Sequence, residues 1–162
     1  ERAMARGDIR KLKLAALCQF TLGGAPVVYY GTEVGLSQHN DVMQHGRAIH
    51  EEARLPMLWG AEQNRDLFAF YKGLIALRKM HSALRRGVRV NIHVDDKVLA
   101  YRRSEGTESL VIVLNLSEQE TSLELALTES VPVFATGPEC KIQVEGRAQR
   151  ISLPPFGGLV LS

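Results

Sequence analysis

At 162 residues with 45% apolar content, the chain is long enough for one ordinary domain or two small ones built on a real hydrophobic core. The 20 basic and 18 acidic residues nearly cancel and form no long run of one sign, which argues against a nucleic-acid partner. Nothing approaches the roughly 18 continuous apolar residues of a membrane span, and the first residues lack a charged-then-apolar leader pattern, so a soluble, cytoplasmic chain without a membrane partner is expected. Cys18 and Cys140 give neither a disulfide framework nor zinc-site spacing, so reduced thiols are expected.

The opening "ERAMARGDIR" reads like a helix entered partway along a longer polypeptide. From Asp8, a plausible N-cap, Ile9, Leu12, Ala16 and Phe20 recur at helical spacing with Leu17 beside them, and Gly23 and Gly24 close the element. Ala25 to Tyr30 is then a short run rich in β-branched and aromatic residues, apolar on both faces, as in a parallel strand covered on each side. Residues 32–61 are polar, hold three of the five histidines and show no sustained period, which describes a long loop of the functional kind. Asn64 caps a second helix, predicted over about 64–86, whose stripe is Leu67, Phe70, Tyr71, Leu74, Leu77, His81 and Leu84; Arg85 and Arg86 suit its C-terminal dipole and Gly87 stops it.

After Gly87 the period changes to two. Val88, Val90, Ile92 and Val94 alternate with Arg89, Asn91 and His93, and "KVLAYRRS", "LVIVLNL", "TSLELAL", "VPVFAT", "KIQVEG" and "QRISL" follow between turn signals. Residues 88–162 therefore read as an antiparallel β-sandwich, with Pro132 marking an edge strand. Asn115 in "NLS" matches a glycosylation acceptor but ends a predicted strand, so the match is read as accidental. His81 lies on the apolar stripe, where a satisfied or half-buried ring is expected. His39, His45 and His50 lack the spacing of a metal site, and no metal or cofactor is expected.

These segments, in this order, resemble the C-terminal portion of the α-amylase family of glycoside hydrolases. "PVVYYGTE" looks like that family's last barrel strand and the following turn, with Thr32 where an Asp commonly stands. "RLPMLW" looks like the Arg-x-Pro-Met-x-Trp loop of its oligosaccharide-hydrolysing and trehalose-forming members, and "ISLPPFGGLVLS" looks like the end of its β-domain. The resemblance implies an α+β fragment: residues 1–87 as the final helix, strand, loop and helix of a (β/α)8 barrel, with the strand at about 25–30, and residues 88–162 as the C-terminal sandwich. It also implies a longer parent, a retaining α-glycosidase or glucanotransferase acting on α-glucans or maltooligosaccharides.

The family works with an aspartate nucleophile, a glutamate acid/base and a second aspartate after a histidine, all at earlier strand ends, and none of those motifs occurs in this chain. Retaining hydrolysis needs two carboxyls about 5 to 5.5 Å apart, so the chain by itself is expected to have no catalytic residues and no activity. Glu33, just past the strand, sits where barrel enzymes keep their chemistry, but the family comparison favours a rim-shaping role. In cyclodextrin- and pullulan-degrading members the corresponding loop supplies an arginine and an acidic residue to the glucose at the cleavage subsite. Arg54 is the candidate sugar ligand on that basis, with Glu52 or Glu51 as its acidic partner. Trp59 could stack on a sugar ring, although packing that anchors the loop is the favoured reading. The expected partner is an α-glucan oligosaccharide bound by the full-length enzyme, with self-association of the fragment through the exposed barrel strand as a second expectation. The alternative is a non-catalytic carbohydrate-binding or structural sandwich module. Against it stands the shortage of aromatics after Gly87, where only Tyr101, Phe134 and Phe156 occur.

Overall fold

A computed structural model of the chain describes residues 7–38, 43–44, 47–48, 51, 54–127, 130–146 and 148–162. Helix α1 spans Ile9–Thr21, and its N-cap Asp8 accepts a hydrogen bond from the Arg10 amide at 2.9 Å, as its side chain and position predict. Leu12, Leu14, Ala16, Leu17, Phe20 and Thr21 are its buried residues. Helix α2 spans Arg65–Met80; Asn64 caps it by accepting from the Leu67 amide at 2.9 Å, and Leu67, Tyr71, Leu74 and Leu77 form its buried stripe.

The single helix expected over about 64–86 is two helices. His81 is extended, at φ −100° and ψ 112°, and a short helix α3 restarts at Ser82–Arg86. The break has a cause outside the helix: the Glu108 carboxylate accepts from Ser82 Oγ and the Ala83 amide, each at 2.7 Å, and meets His81 Nδ1 at 2.7 Å. That carboxylate supplies an N-terminal cap in mid-stripe, where the sequence carries neither Gly nor Pro to announce one.

The strand expected at about 25–30 does not form. Residues 25–29 join no ladder, and Val27 and Tyr29 are 76% and 51% exposed. A parallel strand is defined by its hydrogen-bonded neighbours, and among the described residues none is provided. A side chain holds the segment instead, Gln19 Nε2 donating to Val27 O at 2.6 Å, and just before it the Arg78 guanidinium donates to Phe20 O, Leu22 O and Gly24 O. The long loop contains a 3-10 turn at Thr32–Val34, a small antiparallel pair of strands, β1 (Met43–Gln44) and β2 (Arg47–Ala48), and a second 3-10 turn at Gly60–Glu62.

The remaining strands are β3 (Val88–Val94), β4 (Val98–Glu105), β5 (Glu108–Asn115), β6 (Thr121–Leu125), β7 (Pro132–Ala135), β8 (Lys141–Glu145), β9 (Ala148–Leu153) and β10 (Gly158–Leu161). They form a five-stranded sheet in the order β3-β4-β5-β10-β7 and a three-stranded sheet in the order β6-β9-β8, with every pairing antiparallel. Pro132 opens β7 at an edge, where its missing N–H costs no ladder bond.

The five-stranded sheet is a middle layer. Leu110, Ile112 and Leu114 of β5 pack with Tyr101, Val160 and the buried faces of α1 and α2. Val111 and Val113, the alternate residues, pack with Val98, Ala100, Leu159 and Leu161 against Ile151 and Leu153 of the second sheet. A strand buried on both faces is why "LVIVL" is apolar without alternation.

At the other edge β3 departs from expectation. Its alternating valines mark no covered face, since Val88, Val90, Ile92 and Val94 are all exposed. The pairing of β3 with β4 shifts between Asn91 and His93, a bulge that puts Val90 opposite Arg102 but Val94 opposite Leu99. The bulge twists this edge away from regular pairing with a further strand.

Candidate functional site

The stretch after the irregular 25–30 segment is a tight turn made by two glycines. Gly31 and Gly35 have φ of 79° and 81°, the left-handed region that a side chain disfavours. Their 3-10 turn is closed by the Val34 amide on Gly31 O at 3.2 Å and the Leu36 amide on the same carbonyl at 2.8 Å. A Cβ on Gly31 would lie 2.6 Å from Leu36 Cδ2, so close approach as well as φ requires glycine there. Asn64 ties the turn to α2 by donating its amide to Val34 O at 2.9 Å while its side chain caps that helix. Thr32 and Val34 point into the core, and Glu33 between them is left half-buried. One of its carboxylate oxygens, Oε2, is shielded from solvent with no hydrogen-bond partner among the described residues.

The "RLPMLW" loop is brought to this turn by Tyr30, whose hydroxyl donates to Leu55 O at 2.8 Å. Leu36 and Ser37 on one side and Leu55, Pro56, Met57, Leu58 and Glu62 on the other line a cleft of about 320 Å³. Gln63 steadies the loop by donating from Nε2 to Leu58 O at 2.9 Å. Arg54 is exposed at the loop's start, with its amide donating to Glu51 O at 2.9 Å, and Glu51 is exposed as well. The structure thus joins Arg54 and Glu51 through the backbone and sets their loop beside the Glu33 turn. Glu52, the other acidic candidate, lies outside the described residues, as do His39, His45 and His50.

Trp59 is 72% exposed, so the loop-anchoring packing favoured from sequence is not made within this chain. Tyr29 and Tyr30 were not singled out by the sequence, yet their rings form an exposed tilted pair with centroids 4.9 Å apart. The available signal was the phenolic hydroxyl itself: a buried strand rarely spends two tyrosines where phenylalanine would serve, because each hydroxyl needs a partner. Among the described residues there is no group of three or more His, Cys, Asp or Glu side chains placed to hold a metal ion.

The other candidate positions resolve as structural. His81 is half-buried on Glu108, as expected. Asn115 is buried: its Nδ2 donates to Gln119 O and Pro154 O, and its Oδ1 accepts from the amide and hydroxyl of Ser117, so the "NLS" serves a turn.

A five-stranded and a three-stranded antiparallel sheet packed under α1 and α2, with the Arg54 loop tied by Tyr30 to the glycine-bracketed turn, is the arrangement to be compared with known proteins. Residues 91–160 match the family described as "Maltogenic Amylase, C-terminal domain". A cyclomaltodextrinase from Geobacillus thermopakistaniensis (strain MAS1) is 36% identical over 157 residues, which is 93% of this chain and 25% of that protein. Neopullulanase 2 from Thermoactinomyces vulgaris is 33% identical over 162 residues, covering 96% of this chain and 26% of the relative. The solved structure of AmyP in complex with maltotriose superposes with a TM-score of 0.79 at 23% identity, covering 94% of this chain and 34% of that one, a likeness of fold. The chain belongs to the α-amylase family of glycoside hydrolases, of which it carries a C-terminal region. It spans about a quarter of the length of the curated relatives it matches.

Proposed function

We propose that the chain is the C-terminal part of an α-amylase-type glycoside hydrolase acting on α-glucans or maltooligosaccharides. In this reading residues 1–87 complete a (β/α)8 barrel, residues 25–30 become its last strand when neighbouring strands are present, and residues 88–162 support the barrel from outside. The observation that carries the proposal is the Tyr30–Leu55 hydrogen bond, which sets the "RLPMLW" loop against the glycine-bracketed turn. A loop fixed at that position in a barrel borders the face where such enzymes bind substrate. Arg54 would donate to sugar hydroxyls, Glu51 or Glu52 would accept from them, Trp59 would offer a flat apolar face to a pyranose ring, and Glu33 would shape the rim.

The exposure of Val27 and of the Tyr29–Tyr30 pair supports the reading, because a chain that ended its fold here would gain nothing by showing them to water. In the isolated chain, those same side chains are the surface through which copies would associate. The relatives' names and the maltotriose bound to AmyP point to glucans as the substrate class. The alternative of a sugar-binding sandwich loses ground, since Tyr101 and Phe156 are buried and Phe134 packs on Phe70 at 5.3 Å between centroids.

The test is hydrolysis of maltooligosaccharides and cyclodextrins by the chain alone and by the protein encoded when the upstream reading frame is included. The expected result is turnover only by the longer protein, whose added part contains the three carboxylates. Turnover by the 162-residue chain, or an upstream frame without those carboxylates, would overturn the proposal.

A further inference from the structure

The face of the five-stranded sheet that meets the second sheet is not covered across its whole width. Directly paired residues share a face, so the pairs Val90–Arg102, Arg102–Val111 and Val111–Leu161 make one row across β3, β4, β5 and β10. Val111 and Leu161 are buried against the second sheet, but Arg102 is exposed, and Val90 and Val88 beyond it are 57% and 71% exposed. Arg89, between those valines, turns to the opposite face, where its guanidinium lies 4.8 Å from the centre of the Tyr101 ring.

Where the covered and open parts of the row meet there is a cleft of about 430 Å³ that shares no residue with the loop site. That volume lies within the roughly 300 to 1,000 Å³ range of small-molecule sites. Arg102 is the one charged side chain among the described residues that line it, and it makes no hydrogen bond or ion pair with any described residue. Other arginines are committed: Arg10, Arg86 and Arg150 to carboxylates, and Arg78, Arg85 and Arg103 to carbonyls. Ser109, Ser130 and Ser162 also line the cleft and bring hydroxyls to it. Its far wall is fixed, because Ser130 O accepts from Gln149 Nε2 at 2.9 Å and the backbones of Val131 and Ser162 exchange bonds of 3.0 and 3.1 Å. A wall set before a ligand arrives loses little order on binding.

The lining selects the ligand. An unpaired guanidinium with hydroxyls and no carboxylate beside it calls for an anion, and a planar carboxylate can take two of its N–H groups at once. The next residue in the row decides the rest of the molecule. Val90 lies one strand spacing, about 4.8 Å, from Arg102, and with Val88 it offers an apolar shelf beside the charge. Phosphate, polar on every side, gains nothing from that shelf, and an uncharged sugar leaves the guanidinium unmatched. A carboxylate carried on a short hydrocarbon uses both.

We infer that the Arg102 cleft binds the carboxylate of a small apolar monocarboxylic acid, whose hydrocarbon body lies over Val90 and Val88. The inference stands on the sandwich alone and does not depend on the function proposed above.

The test is backbone-amide NMR of the full 162-residue chain titrated with isocaproate. Comparison ligands are isoamyl alcohol, acetate, inorganic phosphate, maltotriose and a tripeptide ending in leucine. The result expected is saturable shifts at Val88, Val90, Arg102 and Ser109 with isocaproate. Affinity should fall about tenfold in Arg102→Gln, the size of one lost charge-assisted hydrogen bond, and about threefold in Val90→Ser, and it should hold in Arg65→Gln. Both replaced side chains are exposed, and unchanged spectra elsewhere would show that the variants keep the fold. Absence of saturation, or saturation insensitive to both substitutions, overturns the site. Equal affinity for isoamyl alcohol overturns the part given to Arg102, and equal affinity for acetate or phosphate overturns the part given to the shelf. The same shifts with maltotriose overturn the ligand class, and tighter binding of the tripeptide overturns the free acid in favour of a polypeptide terminus.

Discussion

Thr21 and Tyr101 meet hydroxyl to hydroxyl at 2.6 Å, both with no exposure to solvent, joining the last residue of α1 to the middle of β4. The Thr21 hydroxyl also bonds Leu17 O at 2.7 Å, so Thr21 donates there and Tyr101 donates to Thr21. The asymmetry predicts unequal mutants. Tyr101→Phe removes a donor and leaves Thr21 satisfied, costing about 1 kcal/mol; Thr21→Val strands a buried phenol and costs about 2 kcal/mol, read from urea unfolding. Burial pushes the Tyr101 phenol from an ordinary 10.0 up to about 12. Below pH 10 it is protonated in both folded and unfolded chains. Between about 10 and 12 the unfolded state ionises first, so stability should fall across that window, and the fall should shrink in Tyr101→Phe.

Glu108 supports the opposite slope at the acid end. The Ser82 hydroxyl, working against desolvation and with the Ala83 amide and His81, holds its carboxyl from an ordinary 4.5 down to about 2. A depressed acid stabilises the fold above its unfolded value and loses that contribution as pH falls. Denaturation midpoints should therefore drop between about pH 4.5 and 2, and Glu108→Gln should flatten that drop while lowering stability at pH 7 by roughly 2 kcal/mol.

Gly87 is required by proximity rather than by φ, which is −65°. A Cβ there would sit 2.4 Å from Ala83 O and 2.8 Å from Ser104 O, both backbone atoms. Gly87→Ala should cost about 1 to 3 kcal/mol in thermal or urea unfolding. Gly23→Ala, whose Cβ would meet only Arg103 Nη1 at an ordinary 3.7 Å, should stay within about 0.5 kcal/mol and serves as the contrast.

Arg54 and Trp59 separate stability from recognition. Both are exposed, so their alanine variants should unfold within about 0.5 kcal/mol of the parent chain. In the longer enzyme proposed above, Arg54→Ala should raise KM for maltooligosaccharides or lower kcat/KM by about 10- to 100-fold, the size of lost charge-assisted hydrogen bonds. An Arg54→Ala enzyme with unchanged kinetics would remove Arg54 from the site.

What the sequence made legible was what neighbouring residues decide among themselves. Asp8 and Asn64 announce their helices because a cap acts within three positions, and Pro132 announces an edge because its own N–H is missing. What it hid depends on residues far away. The helix break at His81 is imposed by Glu108, 27 positions on, and the loop is placed by a hydrogen bond from Tyr30 to Leu55, 25 positions apart. The 25–30 segment reads as a strand from side chains alone, yet a ladder needs partners that its own residues cannot supply. The candidate site follows the same rule: Arg54 is visible in its motif, whereas the turn to which Tyr30 ties its loop is visible only in three dimensions.

Arg103, 2% exposed, reaches from β4 to the ends of two helices, with Nη1 on Thr21 O at 3.1 Å and Nη2 on Leu84 O at 3.2 Å. Two helix termini thus hand their leftover carbonyls to one side chain of the sheet. The seam at Gly87 therefore divides types of secondary structure while one core runs across it. A protein cut there would leave Tyr101, Leu110, Ile112 and Leu114 on an open sheet face and the guanidinium without acceptors. The sandwich thus shares its core with the helices, and residues 88–162 expressed alone should precipitate or scatter light at concentrations where the 162-residue chain stays clear.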